Sequence, residues 1–135
     1  TLPEQHIHLE GKRVLLAEDN ELNSEIAVEL LGMHGLTVET AENGLLAVER
    51  FKKSLPGYYD AVLMDIQMPV MDGYEATAAI RALPRPDAAS VPILALTANA
   101  FVTDAGKAKN AGMNDHITKP INLEVLFAAL RRWWK

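Results

Sequence analysis

The apolar residues of this chain fall into short unbroken runs set between segments of helical period. Val14-Leu-Leu-Ala17, Ala61-Val-Leu-Met64 and Ile93-Leu-Ala-Leu96 are aliphatic without alternation. That pattern predicts strands buried on both faces, as in a parallel sheet. A fourth, shorter segment, His116-Ile-Thr-Lys119, and a weaker one, Thr37 to Ala41, complete a set of five. Between them the spacing predicts helices from about Glu21 to His34, stopped by Gly35, and from about Gly44 to Lys53. Asp72 and Glu75 form a capping-box start to a third helix, through about Leu83. A fourth is expected from about Val102 to Ala111, weakened by Thr103, Asp104 and Gly106. The fifth opens near Asn122 and places Leu123, Leu126, Phe127 and Leu130 on one face. Strands alternating with helices imply a parallel α/β sheet with right-handed crossovers.

The polar residues matter most where the apolar runs end. Glu18 and Asp19 follow the first strand, Asp65 ends the third, Thr97 the fourth and Lys119 the fifth. Ligands of such sheets bind at the carboxyl ends of the strands. Three carboxylates, a hydroxyl and an ammonium are therefore expected at one edge. Crowded carboxylates repel one another, and a hard divalent cation relieves that repulsion. The set reads as a metal-and-phosphate site.

Composition narrows the picture. The 135 residues suffice for one domain with a core, expected over residues 12–135. Residues 1–11 are polar, contain Pro3 and Gly11, and read as a linker or tail. The absence of cysteine removes disulfide and thiolate chemistry and is compatible with a cytoplasmic location. No apolar run approaches the ~18 residues of a membrane helix. A net charge of −5 argues against a nucleic-acid surface. The basic cluster Arg131, Arg132 and Lys135 suits the end of a helix, where cations complement the dipole.

The strand-end residues, with Met64-Asp-Ile-Gln-Met-Pro-Val-Met-Asp-Gly73 and Ala111-Gly-Met-Asn-Asp-His-Ile-Thr-Lys-Pro120, resemble the receiver domains of two-component response regulators. The resemblance runs from about Lys12 to the C-terminus. It implies a flavodoxin-like doubly wound sheet of five parallel strands, order 2-1-3-4-5, with five helices; that topology is the known one for the family's chemotaxis members. It also implies that Asp65 is the phosphoacceptor, receiving its phosphoryl group from a phosphohistidine. Asp19, Asp65 and the backbone carbonyl of Gln67 would ligate Mg2+, with Mn2+ as a substitute, and Glu18 would act through water. Thr97 and Lys119 would hold the phosphoryl oxygens, and the Lys119-Pro120 peptide would shape the loop. Such a domain promotes its own phosphorylation and dephosphorylation without turning over free substrates.

The same resemblance points to a switch and to a partner. Asn99, beside Thr97, and Gln67 would tune access of water to the phosphoryl group. His116 stands where the family often carries Tyr or Phe three residues before the lysine, so a switch built on an aromatic rotamer is in doubt. On the first helix Ile26, Ala27, Leu30 and Leu31 are expected as a core stripe, widened by Leu22 and Met33. Leu22 and Ile26 are the expected docking positions for a histidine kinase or histidine-phosphotransfer domain. Ala17-Glu-Asp-Asn20 and Leu96-Thr-Ala-Asn-Ala100 look like receivers fused to hybrid sensor histidine kinases. That origin would make the chain the cytoplasmic part of a membrane-bound sensor. A stand-alone regulator, or a receiver used only for docking, is the alternative, as a monomer or a phosphorylation-linked dimer. An aspartate-nucleophile phosphatase is disfavoured because Gln67 stands where a second acid would be needed. A nucleotide binder would need a glycine-rich phosphate loop, and none is present.

Overall fold

A computed structural model describes residues 11–97, 105–119 and 121–133. Five parallel strands, β1 (Arg13–Ala17), β2 (Thr37–Ala41), β3 (Ala61–Asp65), β4 (Ile93–Thr97) and β5 (Asp115–Thr118), form one sheet in the order β2-β1-β3-β4-β5. The helices are α1 (Glu21–Gly32), α2 (Gly44–Lys53), α3 (Gly73–Arg81), α4 (Ala105–Ala111) and α5 (Leu123–Trp133). A 3-10 turn at Pro86–Ala88 precedes β4. The parallel sheet is the one that the pattern of runs predicts, and its doubly wound order is the one that the resemblance implies.

The lack of alternation in the strands has a direct cause. In β1, Val14 and Leu16 join a core cluster with Ala27 and Leu31 of α1 and Leu126 and Leu130 of α5. Leu15 and Ala17 point the other way, to Ala47 and Phe51 of α2 and Ala76 and Ile80 of α3. Successive side chains face opposite sides, and helices cover both.

The helix ends follow their local chemistry. Asn20 caps α1 by accepting from the Asn23 amide at 3.0 Å, and Asn43 caps α2 by accepting from Leu46 at 2.8 Å. The capping box at α3 is present: the Asp72 carboxylate accepts from Glu75 N, and the Glu75 carboxylate from Asp72 N. Regular α-helix ends at Gly32, two residues before the expected His34. The remaining turn closes as a Schellman motif, with Leu36 N donating to Leu31 O, Gly35 N donating to Gly32 O, and Gly35 at φ +88°. Helix α3 likewise stops at Arg81 rather than Leu83, and its last turn tightens, with Leu83 N donating to Ile80 O.

One expectation about α1 fails. Ile26, read as part of the core stripe, is 49% exposed, because only Ala27 and Leu31 turn fully onto the sheet. The expected start of the fourth helix at Val102, and the residue-1–10 part of the linker, lie outside the described residues.

Candidate functional site

Parallel pairing brings the ends of β1, β3, β4 and β5 to one edge. Glu18 follows β1 directly, Asp65 closes β3, Thr97 closes β4, and Lys119 follows β5. Carboxylate oxygens of Glu18, Asp19 and Asp65 lie within 4.8 Å of one another. Glu18 and Asp65 are buried, at 4% and 3% exposure, whereas Asp19 faces solvent. Thr97 is buried too.

Backbone contacts set these positions. Lys119 N donates to Thr97 O at 2.7 Å, which fixes the start of the lysine's loop on β4. Ile66 N donates to Leu96 O, and Gly73 N donates to Ile66 O, folding the loop after Asp65 back on itself. Gly73 sits so close to that loop that a Cβ would lie 2.4 Å from the Asp65 carbonyl oxygen. Here glycine is required by space. Between them, Met71 N donates to Pro69 O across Val70, whose φ is +71°. That is a γ-turn of the rare positive-φ kind, on a β-branched residue that disfavours it.

The side chains form a compact ionic network. Lys119 Nζ lies 3.1 Å from Asp65 Oδ2 and 3.4 Å from Glu18 Oε2. Gln67 N donates to Asp65 Oδ1 at 3.3 Å, and Asn20 N donates to Glu18 Oε1 at 3.1 Å. Burial opposes the Lys119 charge. The hydrogen bond and charge of Asp65, with Glu18 behind them, outweigh that and hold the ammonium above its ordinary value. One ammonium among three carboxylates leaves the cluster an excess of negative charge. The donor set, all carboxylate oxygen, suits a hard divalent cation.

Two hollows flank this network. On the α1 side, Leu16, Ile26, Ala27, Leu30 and Ile121 line a mostly apolar slot of about 180 Å³, with Glu18 and Lys119 at its edge. On the α3 and α4 side an open groove of about 510 Å³ runs past Asp19 and Gln67 to Tyr74 and Lys107.

The structure therefore gathers Glu18, Asp19, Asp65, Thr97 and Lys119 as the runs predict, with Gln67 beside them. His116 is exposed on the edge strand β5, its amide donating to Asp115 Oδ1 at 2.8 Å. Leu22 and Ile26 are exposed on α1, at 65% and 49%. Asn99 and Pro120 lie outside the described residues. Sequence reading passed over Asn20, whose position just before Glu21-Leu-Asn is a cap signal, and over Lys107 and Tyr74. Nothing in one dimension joins those last two to the site, since they sit on different helices.

Comparison with known proteins agrees with this geometry. The sequence profile of the response regulator receiver domain matches residues 14–131. Hybrid signal transduction histidine kinase I of Dictyostelium discoideum is 38% identical over 121 residues, covering 88% of this chain and 7% of that protein. The chain spans no more than 16% of the length of such curated relatives. Among solved structures, the receiver domain of the Pseudomonas aeruginosa sensor histidine kinase PA1611, with a magnesium ion in its active-site cleft, is 41% identical. It superposes with a TM-score of 0.80 over 91% of this chain and 97% of that one. The receiver domain of Ssk1, crystallised with the histidine phosphotransfer protein Ypd1 of Saccharomyces cerevisiae, is 34% identical, with a TM-score of 0.76 over 90% and 88%. Sheet order, acidic edge and sequence thus converge, and the chain belongs to the response regulator receiver domain family.

Proposed function

We propose that Asp65 accepts a phosphoryl group from a phosphohistidine and that the chain passes the signal on as a change of conformation. The observation that carries this is the contact of Lys119 Nζ with Asp65 Oδ2 at 3.1 Å, inside a cluster of three carboxylates. Asp65 needs no general base, since a carboxylate is ionised at neutral pH. Its oxygen forms the new O–P bond as the P–N bond of the donor breaks, and the imidazole keeps the electron pair. Such a transfer depends on positioning and charge neutralisation. Gln67 N orients the Asp65 carboxylate, and Lys119 moves from that carboxylate to the phosphoryl oxygens. The Thr97 hydroxyl donates to one of them.

The carboxylates fit Mg2+. Asp19, Asp65 and the Gln67 carbonyl would hold it, and Glu18, already engaged by Asn20 N and Lys119, would act through water. Bound there, the ion supplies positive charge to the phosphoryl oxygens.

For the partner, the exposed Leu22 and Ile26 beside the apolar slot support docking of a histidine-phosphotransfer domain or histidine kinase on α1. Likeness to the Ssk1 receiver and to the Dictyostelium kinase supports the same reading, and an origin in a hybrid sensor kinase. Polar substitution of Leu22 should slow phosphotransfer without lowering stability; unchanged transfer rejects this face.

The central test is intact mass after incubation with acetyl phosphate, with and without magnesium, for the wild type and Asp65→Asn. A magnesium-dependent gain of one phosphoryl group, absent from the variant, is expected. A gain that persists in Asp65→Asn places the acceptor elsewhere.

A further inference from the structure

The acidic edge and helix α1 meet at one residue. Asn20 ends the turn from β1 into α1, with an extended backbone at φ −90° and ψ 115°. Its side-chain oxygen accepts from Asn23 N at 3.0 Å, and its carbonyl accepts from Ser24 N at 3.0 Å, the first bond of the helix. Its own N–H takes no part in α1 and donates instead to Glu18 Oε1 at 3.1 Å. That bond closes a ring across Asp19, which stands between acceptor and donor. Glu18 is anchored at both ends: its N donates to Ala41 O at 3.0 Å, and its Oε2 lies 3.4 Å from Lys119 Nζ. Asp19 is exposed, so the ring rather than packing sets the direction of its carboxylate.

We propose that Asn20 is a positioning residue for the metal site: its cap on α1 holds the ring that aims Asp19, and so couples Mg2+ binding to the order of the first turn of α1. The inference rests on the reading that Glu18, Asp19 and Asp65 hold Mg2+. That ion demands near-octahedral geometry, so a ligand carboxylate that wanders must be ordered when it binds. Without an oxygen at the cap, Asn23 N loses its acceptor, and residue 20 loses the bond that keeps it extended. Its N–H then leaves Glu18 Oε1, and the ring across Asp19 opens. Losing an outer contact of this kind lowers metal affinity by about ten- to a hundredfold. The coupling is reciprocal: the factor that a closed cap adds to metal affinity, the metal adds to closure of the cap. The turn so ordered carries the exposed Leu22, and Asn23 lines the apolar slot. Occupancy of the metal site is thereby relayed to the face offered to a partner.

The test follows backbone amide resonances as magnesium chloride is added to the wild type, Asn20→Ala, Asn20→Ser and Asn43→Ala. Asn43 caps α2 in the same way, accepting from Leu46 N at 2.8 Å, and so controls for the loss of a cap as such. We expect Asn20→Ala to bind Mg2+ about tenfold more weakly. Asn20→Ser keeps a capping oxygen and should stay close to the wild type, and Asn43→Ala should match it. In the wild type, saturating magnesium should slow hydrogen exchange of the Asn23 amide by a comparable factor and leave that of Leu46 unchanged. Wild-type affinity in Asn20→Ala, equal weakening in Asn43→Ala, or an Asn20→Ser chain as weak as Asn20→Ala overturns the positioning role. An Asn23 amide indifferent to magnesium overturns the coupling. If magnesium shifts no amide of Glu18, Asp19 or Asp65 in the wild type, the metal reading itself falls, and the inference with it.

Discussion

The molecule contains two polar clusters built around carboxylates, and they are built on opposite rules. Near the start of the strands, Glu39 accepts hydrogen bonds from the hydroxyls of both Tyr58 and Tyr59, and Arg13 Nε lies 3.8 Å away. The Arg13 guanidinium also stacks over the Tyr58 ring at 4.0 Å. At the other end of the strands, Glu18, Asp19 and Asp65 share one lysine. In the first cluster each partner lowers the cost of the charge, and the hydrogen bond from Tyr58 leads in holding the Glu39 carboxyl below its ordinary value. In the second, like charges crowd together for the sake of what will bind. A cluster whose carboxylate is paired is architecture, and a cluster left short of positive charge is a candidate site.

If this contrast is right, the two clusters respond oppositely to loss of charge. Lys119→Met should have the largest effect, because it leaves Glu18 and Asp65 buried without a cation. We expect a loss of about 3 kcal/mol in metal-free urea denaturation, largely restored by magnesium. A loss that magnesium does not touch would mean that the ion binds elsewhere. Glu39→Gln should cost about 1–2 kcal/mol, the worth of hydrogen bonds to a charged acceptor, and magnesium should make no difference. Asp19→Asn should do the reverse and raise metal-free stability by about 1 kcal/mol, as expected for like charges a few ångströms apart near the surface. It should also shrink the stabilisation that magnesium gives. Destabilisation by Asp19→Asn would dissolve the contrast.

The smallest effect is in acid. The Glu39 carboxyl lies below its unfolded value near 4.5 when the chain is folded. Its contribution is therefore complete above that value and drains away as the pH falls through the lower folded one. Glu39→Gln should flatten the pH dependence of stability in that window, with its full loss of about 1–2 kcal/mol already present and constant at neutral pH. Lys119 carries the opposite sign. Its contribution is complete below its unfolded value of 10.5 and is lost as pH rises through the higher folded one.

Much of the site was legible because each of its residues stands next to a strand end. The run Ala61-Val-Leu-Met64 locates β3, and Asp65 follows by adjacency; the same holds for Glu18, Thr97 and Lys119. Caps were legible for the same local reason, as Asp72 with Glu75 shows. The exposure of Ile26 was not, since a stripe of helical period gives the apolar residues of a helix but not how far the helix is rolled toward the sheet. Arg81 escaped notice as well. Its guanidinium donates to the carbonyls of Ala88, Val91 and Gly112 and to the Asn114 side chain, joining three segments distant in sequence. As one more basic residue in the last turn of a helix, it gave no hint of that.

By itself, then, the sequence determined the class of fold, the order of its elements and which five polar residues stand at the strand ends. Strand period, caps and turns act over a few residues, and all of those can be read in one dimension. The tertiary structure alone decided that Lys119 reaches Asp65 and Glu18 rather than water, and that Glu39 is enclosed by two tyrosines. It also decided that the acidic edge opens on one side to an apolar slot and on the other to a groove carrying Lys107. Those are facts of distance between segments tens of residues apart, set by how the helices pack on the two faces of the sheet.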